Sequence, residues 1–208
     1  LHVRSIARRC HGDVSGDDSP CHAPEGTFTA IEVGVRHACA LAEDGAATCW
    51  GSNLIGQSTP PDDSFTSISA GDGYTCAIVQ DSTATCWGGG NFEGAKAPEG
   101  TFVAISAGKL HTCAIRTDGT LQCWGQESLG QLDVPAGVYT HLSAGERHTC
   151  ASNDQTTRCW GYDDKGQCTP PGLPVTTITM GWSHICALEP DGAVLCWGDN
   201  EEGQVVSP

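Results

Sequence analysis

The segment FVAISAGKLHTCAIRTDGTLQCWG, residues 102–125, shows in one copy a pattern that repeats along this chain of 208 residues. Its last three residues, Cys-Trp-Gly, return at a spacing of 36 or 37 residues. The five copies lie at 49–51, 86–88, 123–125, 159–161 and 196–198. A period of this length indicates a repeat protein, in which each unit buries its apolar face against its neighbours.

Each copy predicts three short β-strands. In the quoted segment the first strand ends before Gly108, the second starts at His111, and the third follows the polar turn at 117–119. A loop rich in glycine and proline then leads to the next unit, as in residues 53–61. Short strands with turns about every 8–12 residues indicate an all-β fold, and the period favours a β-propeller.

The repeat domain is predicted to cover residues 27–208, and residues 1–26 to form a degenerate partial repeat or an N-terminal tail. The five full units are assigned to 27–63, 64–100, 101–137, 138–173 and 174–208. Five blades are compatible with a small closed ring, an open arc or a fragment of a larger ring.

Ten of the thirteen cysteines occur as pairs, one on the second and one on the third strand of each unit. A three-residue turn at 43–45 places Cys39 opposite Cys49, and Gly45 supplies the positive φ that this turn requires. In the fourth unit the spacing is nine rather than ten, so a two-residue turn at 154–155 restores the opposition. Directly opposed cysteines on antiparallel strands lie within disulfide range. We therefore predict the disulfides Cys39–Cys49, Cys76–Cys86, Cys113–Cys123, Cys150–Cys159 and Cys186–Cys196.

Three cysteines remain, namely Cys10, Cys21 and Cys168. Cys10 begins Cys-His-Gly, 39 residues before Cys49, where another Cys-Trp-Gly is expected. Cys10 therefore belongs to a further unit that is cut short, or it pairs with Cys21. Cys168 then stays free or pairs with another chain. Regularly spaced structural disulfides predict a secreted protein, in an extracellular or periplasmic compartment.

Composition narrows the classes of function. The formal net charge of −15 disfavours nucleic-acid binding and favours a neutral or basic protein partner. The longest apolar runs fall far short of the roughly 20 residues of a membrane span, so we expect no membrane insertion. Cys-x-x-Cys pairs, Gly-x-Ser-x-Gly motifs and phosphate loops do not occur, so we expect no metal, no cofactor and no enzymatic activity.

Two residue types recur in every unit and have competing interpretations. A histidine or tyrosine two residues before the first cysteine could form a ring that binds metal or senses pH, or it could satisfy backbone groups of its own turn. The tryptophan of Cys-Trp-Gly could stack on sugars or pack between blades. We favour the structural interpretation for both, because a residue present in every unit usually serves the unit. The positions are His37, Tyr74, His111, His148 and His184, and Trp50, Trp87, Trp124, Trp160 and Trp197.

These landmarks resemble the regulator of chromosome condensation repeat family over roughly residues 27–208. The likeness extends to β-lactamase inhibitor protein II and to cysteine-rich ectodomains of plant receptor kinases. It implies a propeller, usually of seven blades, with mostly protein-binding roles, and nuclear members promote nucleotide exchange on a small GTPase. The matching residues are Ile-Ser-Ala-Gly at 68–71 and 105–108, Gly-x-x-His before the second strand, the Asp-Gly turn, Cys-Trp-Gly, and Gly-Gln at 56–57, 130–131, 166–167 and 203–204.

Positions that vary while the framework repeats are the better candidates for recognition, because loops on a rigid scaffold carry function. Trp182 stands out as the tryptophan outside Cys-Trp-Gly. The leading hypothesis is a secreted, non-enzymatic protein-binding module. The alternatives are a carbohydrate-binding module and, by family similarity, a regulator of nucleotide exchange. The predicted contact residues are Arg36, Tyr74, Leu110, Arg147 and Trp182 in glycine turns, and Leu54, Ile55, Phe92, Leu129 and Tyr162 in the loops after Trp-Gly.

Overall fold

The computed structural model describes residues 23–90, 92–172 and 174–206. Their strands form five three-stranded antiparallel sheets, each with the middle strand of its unit at the centre. We number these sheets as blades one to five in chain order. The strands are β1 Phe28–Val33, β2 His37–Ala42, β3 Ala47–Gly51, β4 Phe65–Ala70, β5 Tyr74–Val79, β6 Ala84–Gly88, β7 Phe102–Ala107, β8 His111–Arg116, β9 Leu121–Gly125, β10 His141–Ala144, β11 His148–Ser152, β12 Thr157–Gly161, β13 Thr177–Met180, β14 His184–Leu188 and β15 Val194–Gly198, with a 3-10 helix at Glu93–Ala95.

The hairpin turns set the cysteine register as predicted. In blade one, Ala42 N donates to Ala46 O, and Gly45 closes the three-residue turn at φ 87°. In blade four, Asn153 N donates to Thr156 O, which leaves the two-residue turn that the shorter cysteine spacing requires. In each blade, the cysteine of the middle strand therefore lies directly opposite the cysteine of the third strand. All five predicted disulfides form, with Cα–Cα distances of 4.0–4.2 Å.

The remaining cysteines are only partly described. Cys10 and Cys21 lie outside the described residues, so their pairing stays a prediction. Cys168 is free of any disulfide within the described part of the chain. Its thiol is half-buried against Tyr162 O at 3.4 Å, and burial raises the pKa of this thiol to about 12.

Successive blades pack face to face through apolar clusters. Between blades one and two, Leu41 of one face meets Phe65, Ile68 and Trp87 of the other. The same arrangement repeats at the later joints. In blade one, Ile31 occupies the position of Ile68 but is 51% exposed. The described residues therefore form an open arc of propeller blades, with an uncovered apolar face on the first.

The glycine that precedes the middle strand of blades one to four is required by the close approach of the next blade. A Cβ atom on Gly108 would lie 2.5 Å from the carbonyl oxygen of Gly145 in the next blade. The turns around these glycines therefore stack directly on one another. We call them the glycine turns, residues 34–36, 71–73, 108–110, 145–147 and 181–183.

Candidate functional site

Both sets of predicted contact residues lie at the same end of the blades. His37 pairs with Gly51 at the end of the β2–β3 ladder, so the glycine turn and the loop after Trp-Gly leave the sheet side by side. Ser52 N donates to Arg36 O at 2.8 Å, and Tyr162 N donates to Arg147 O at 2.9 Å. We call the loops that follow Cys-Trp-Gly the tryptophan loops, and the surface that they form with the glycine turns the loop face. The described residues of the tryptophan loops are 52–57, 89–90 with 92–95, 126–131, 162–167 and 199–204.

The glutamine of each Gly-Gln pair holds its tryptophan loop in one shape. The side chain of Gln131 is buried, and its Oε1 accepts a hydrogen bond from Leu129 N at 2.6 Å. Gln57 does the same for Ile55 N at 3.0 Å. The Gly-Gln repeat was visible in the sequence, but its role in fixing the loop is a finding of the structure.

The repeated tryptophans connect each loop to the next blade. Trp160 Nε1 donates to the carbonyl oxygen of Gln131 at 2.9 Å, and Trp87 Nε1 donates to that of Gln57 at 3.1 Å. In blade two the glutamine is missing, and the short helix at Glu93–Ala95 presents Gly94 O to Trp124 instead. This confirms the packing interpretation for Trp87, Trp124, Trp160 and Trp197, which are buried and unavailable for stacking on a sugar. Trp50 of blade one is only half-buried.

The loop face exposes large side chains at both ends of the arc. Leu54 and Ile55 of blade one are 71% and 49% exposed, and Trp182 of blade five is 77% exposed. Arg36 and Arg147 are exposed, whereas the other candidates that reach this face are half-buried. Those half-buried residues are Phe92, Leu110, Leu129 and Tyr162.

One predicted contact residue, Tyr74, does not reach the loop face. It is fully buried, and its hydroxyl donates toward His111 O at 2.7 Å and Gly108 O at 3.0 Å. Burial also raises the pKa of this hydroxyl. Tyr74 takes the position of the repeated histidine, and its alignment with His37 rather than Arg36 is the sequence signal that identifies it as structural.

The repeated histidines join neighbouring blades. His37 Nε2 lies 2.7 Å from Thr75 Oγ1, and His111 Nε2 lies 2.7 Å from Thr149 Oγ1. Burial lowers the pKa of His111 to about 4, so its ring is neutral at physiological pH. No group of three or more potential metal ligands occurs among the described residues. These contacts support the structural interpretation of the histidines.

The histidine of blade four lacks this contact. His148 is fully buried, but Ile185 stands in blade five where blades two to four carry a threonine. Both ring nitrogens of His148 are without a hydrogen-bond partner within the described residues. Burial lowers the pKa of His148 to about 4.

A compact cluster on the loop face combines charge with the exposed tryptophan. Lys109 Nζ lies 2.7 Å from Glu146 Oε1 and 5.9 Å from the centre of the Trp182 ring. Arg147 Nε lies 3.6 Å from the same carboxylate oxygen. Three consecutive glycine turns therefore contribute to one surface, which we call the Trp182 cluster: Lys109, Glu146, Arg147 and Trp182.

The repeats match a known family model. The model described as "Regulator of chromosome condensation (RCC1) repeat" matches residues 28–57, 102–131 and 175–204. These segments fall in blades one, three and five. Among curated proteins, no sequence matches the chain.

Solved structures share this architecture. The ectodomain of receptor kinase CR4 from Physcomitrella patens superposes with a TM-score of 0.70 at 30% identity, over 83% of this chain and 50% of that chain. The CRINKLY WD40 ectodomain of receptor kinase ACR4 from Arabidopsis thaliana gives 0.71 at 26% identity, over 83% and 72%. Prp20p from Saccharomyces cerevisiae gives 0.73 at 19% identity, over 86% and 59%, which is a likeness of fold alone. The chain thus spans half the length of the Physcomitrella ectodomain.

Proposed function

Since the chain carries repeats that match the regulator of chromosome condensation family model, we propose that it is a non-enzymatic module that binds a protein partner through the loop face. The observation that carries this proposal is the contrast between frame and surface. Repeated glutamines and tryptophans fix the loops, whereas the residues that the loops expose differ from blade to blade. Fixed loops bind with a small loss of conformational entropy.

We infer a neutral or basic partner outside the cytosol. A net charge of −15 attracts basic surfaces and repels acidic ones. Five disulfides are typical of an oxidising compartment, and the CR4 and ACR4 structures are ectodomains. None of the described helices is long and apolar enough to cross a membrane.

Affinity capture with matched variants tests the proposal. The double variant Leu54→Ser/Trp182→Ala removes the two most exposed apolar side chains of the loop face. Val138→Ser is the matched control. Val138 is exposed and lies beside Gly119, whose hairpin turn is at the opposite end of the blades. Immobilised proteins are incubated with secreted proteins of the source organism, and the retained proteins are quantified by mass spectrometry.

We expect a specific partner that the wild type and Val138→Ser retain equally. The loop-face variant should lose it by tenfold or more, because loss of an aromatic anchor typically costs about 2 kcal/mol or more. A partner that the loop-face variant retains in full would contradict the proposed binding surface.

Carbohydrate binding is the second candidate, and the exposed indole of Trp182 is the observation that favours it. A glycan array with the wild type and Trp182→Ala distinguishes the two candidates. Sugar binding that disappears in the variant would replace the protein-binding proposal.

A further inference from the structure

The Trp182 cluster has an unequal balance of charge. Two cations, Lys109 and Arg147, share one carboxylate oxygen of Glu146. The side chain of Glu146 is only 17% exposed, so its charge is directed to these two neighbours rather than to solvent. The cluster itself carries one positive charge in excess, within a chain whose formal net charge is −15.

Arg147 is the cation that this carboxylate holds less closely. Its Nε is 3.6 Å from Glu146 Oε1, beyond the usual length of an N–H···O hydrogen bond, whereas Lys109 Nζ is at 2.7 Å. The Arg147 side chain is also 46% exposed. A guanidinium presents a planar set of donors that suits a second carboxylate.

An acidic residue of the neighbouring tryptophan loop interacts with a different group. The carboxylate of Asp164 acts on the Tyr162 hydroxyl and raises the pKa of Tyr162. The backbone of Tyr162 lies next to that of Arg147, because Tyr162 N donates a hydrogen bond to Arg147 O. Arg147 therefore has an aromatic residue of the tryptophan loop beside it, and the exposed indole of Trp182 belongs to the adjacent glycine turn.

We propose that the Trp182 cluster is an anchor subsite for a carboxylate of the protein partner, with an apolar or aromatic side chain next to it. Arg147 binds the carboxylate, Lys109 and Glu146 hold the site in place, and the Trp182 ring contacts the apolar side chain. This inference rests on the proposed function and specifies which part of the loop face recognises which chemistry. The partner is thus basic or neutral as a whole but presents an acidic residue at this point.

Charge decides between this occupant and the other classes. A partner ammonium would meet the excess positive charge and compete with Lys109 for the Trp182 ring. A neutral sugar could stack on the ring but would leave Arg147 with only the carboxylate that it shares with Lys109. A carboxylate beside an apolar group satisfies both parts of the cluster.

Peptide titrations followed by NMR test this inference on the full chain. The probes are acetyl-Gly-Phe-Glu-Gly-amide and acetyl-Gly-Phe-Gln-Gly-amide, which differ in one charge. The observable is the indole N–H resonance of Trp182, assigned with Trp182→Phe. We expect the Glu peptide to shift this resonance with an affinity about fivefold or more above that of the Gln peptide, as for a charge-assisted contact.

Two variants assign the preference to Arg147. Arg147→Gln should abolish the difference between the peptides, whereas Arg158→Gln, at an exposed arginine of β12 outside the cluster, should leave it unchanged. Equal binding of both peptides to the wild type, or a preference that survives Arg147→Gln, would overturn the inference. A Trp182 shift with maltotriose but with neither peptide would also overturn it, in favour of sugar binding.

Failure of the subsite and failure of the proposed function give different results. If the captured partner is lost in Leu54→Ser/Trp182→Ala but binds Arg147→Gln at wild-type strength, the loop face is the binding surface and the carboxylate subsite is wrong. If neither variant affects the partner, the proposed function itself fails.

Discussion

At the scale of single residues, the contact between a histidine and a threonine of the next blade explains two repeated positions. His111 and Thr149 are 38 residues apart, and their side chains meet at 2.7 Å in a fully buried joint. The sequence shows both residues recurring in register, but it does not show that they touch. The contact satisfies the buried Nε2 of His111, and an unsatisfied polar group in the interior is costly.

Thr149→Val is expected to destabilise the protein by about 1–3 kcal/mol, because it leaves His111 Nε2 buried without a partner while the shape of the side chain is nearly unchanged. Chemical denaturation measures the free energy of unfolding. Thr179→Val, at an exposed position of β13, is the matched control and should have little effect. Equal stability of the two variants would show that the hydrogen bond contributes nothing measurable.

At the scale of elements, the joints between blades differ in their polar connections. The joint between blades three and four combines the His111–Thr149 contact, the bond from Ala144 N to Ser106 Oγ at 2.9 Å, and the bond from Trp160 to Gln131 O. The joint between blades four and five keeps the tryptophan bond, from Trp197 to Gln167 O at 3.0 Å. Its histidine is the one that Ile185 leaves unpartnered.

Native-state hydrogen exchange should therefore find blade five the first to open. Amides of β14 are expected to exchange faster than those of β8, because opening the last joint breaks fewer polar contacts. In Thr149→Val, which weakens the preceding joint, exchange in β11 should rise toward the rate in β14. Uniform exchange rates across all blades would contradict this order of opening.

At the scale of the whole molecule, the buried histidines link stability to pH. Burial lowers the pKa of both His111 and His148 from 6.5 to about 4 in the folded protein. The unfolded chain therefore binds more protons than the folded one between these values. The free energy of unfolding is therefore unaffected by these histidines above pH 6.5. As the pH falls from 6.5 toward 4, each histidine lowers it by about 1.4 kcal/mol per pH unit.

Urea unfolding at about pH 7 and about pH 5 measures this loss, which follows from the depressed pKa values. His148→Gln removes one of the titrating groups and should reduce the difference between the two pH values. His141→Gln, at an exposed histidine of β10, should leave the difference at its wild-type size. A His148→Gln variant with the full wild-type difference would exclude His148 as a source of the acid sensitivity.

The sequence by itself determined the blades and their disulfides. Turn chemistry is local, so the positive φ of Gly45 and the two-residue turn of blade four could be inferred from spacing alone, and with them the opposition of Cys39 to Cys49 and of Cys150 to Cys159. The 37-residue period then located the variable residues in the loops that connect the repeated strands. The recurrence of the tryptophan in every unit also predicted its packing role, which the structure confirms for Trp87, Trp124, Trp160 and Trp197.

Only the tertiary structure decided which of those residues share a surface. Tyr74 is buried because its hydroxyl reaches backbone of the next blade, and the Trp182 cluster exists because three glycine turns stack without Cβ atoms between them. These contacts join residues about one repeat apart, and their distances depend on how one blade packs against the next. Spacing along the chain fixes the position of a residue within its blade, but packing between blades fixes what that residue touches.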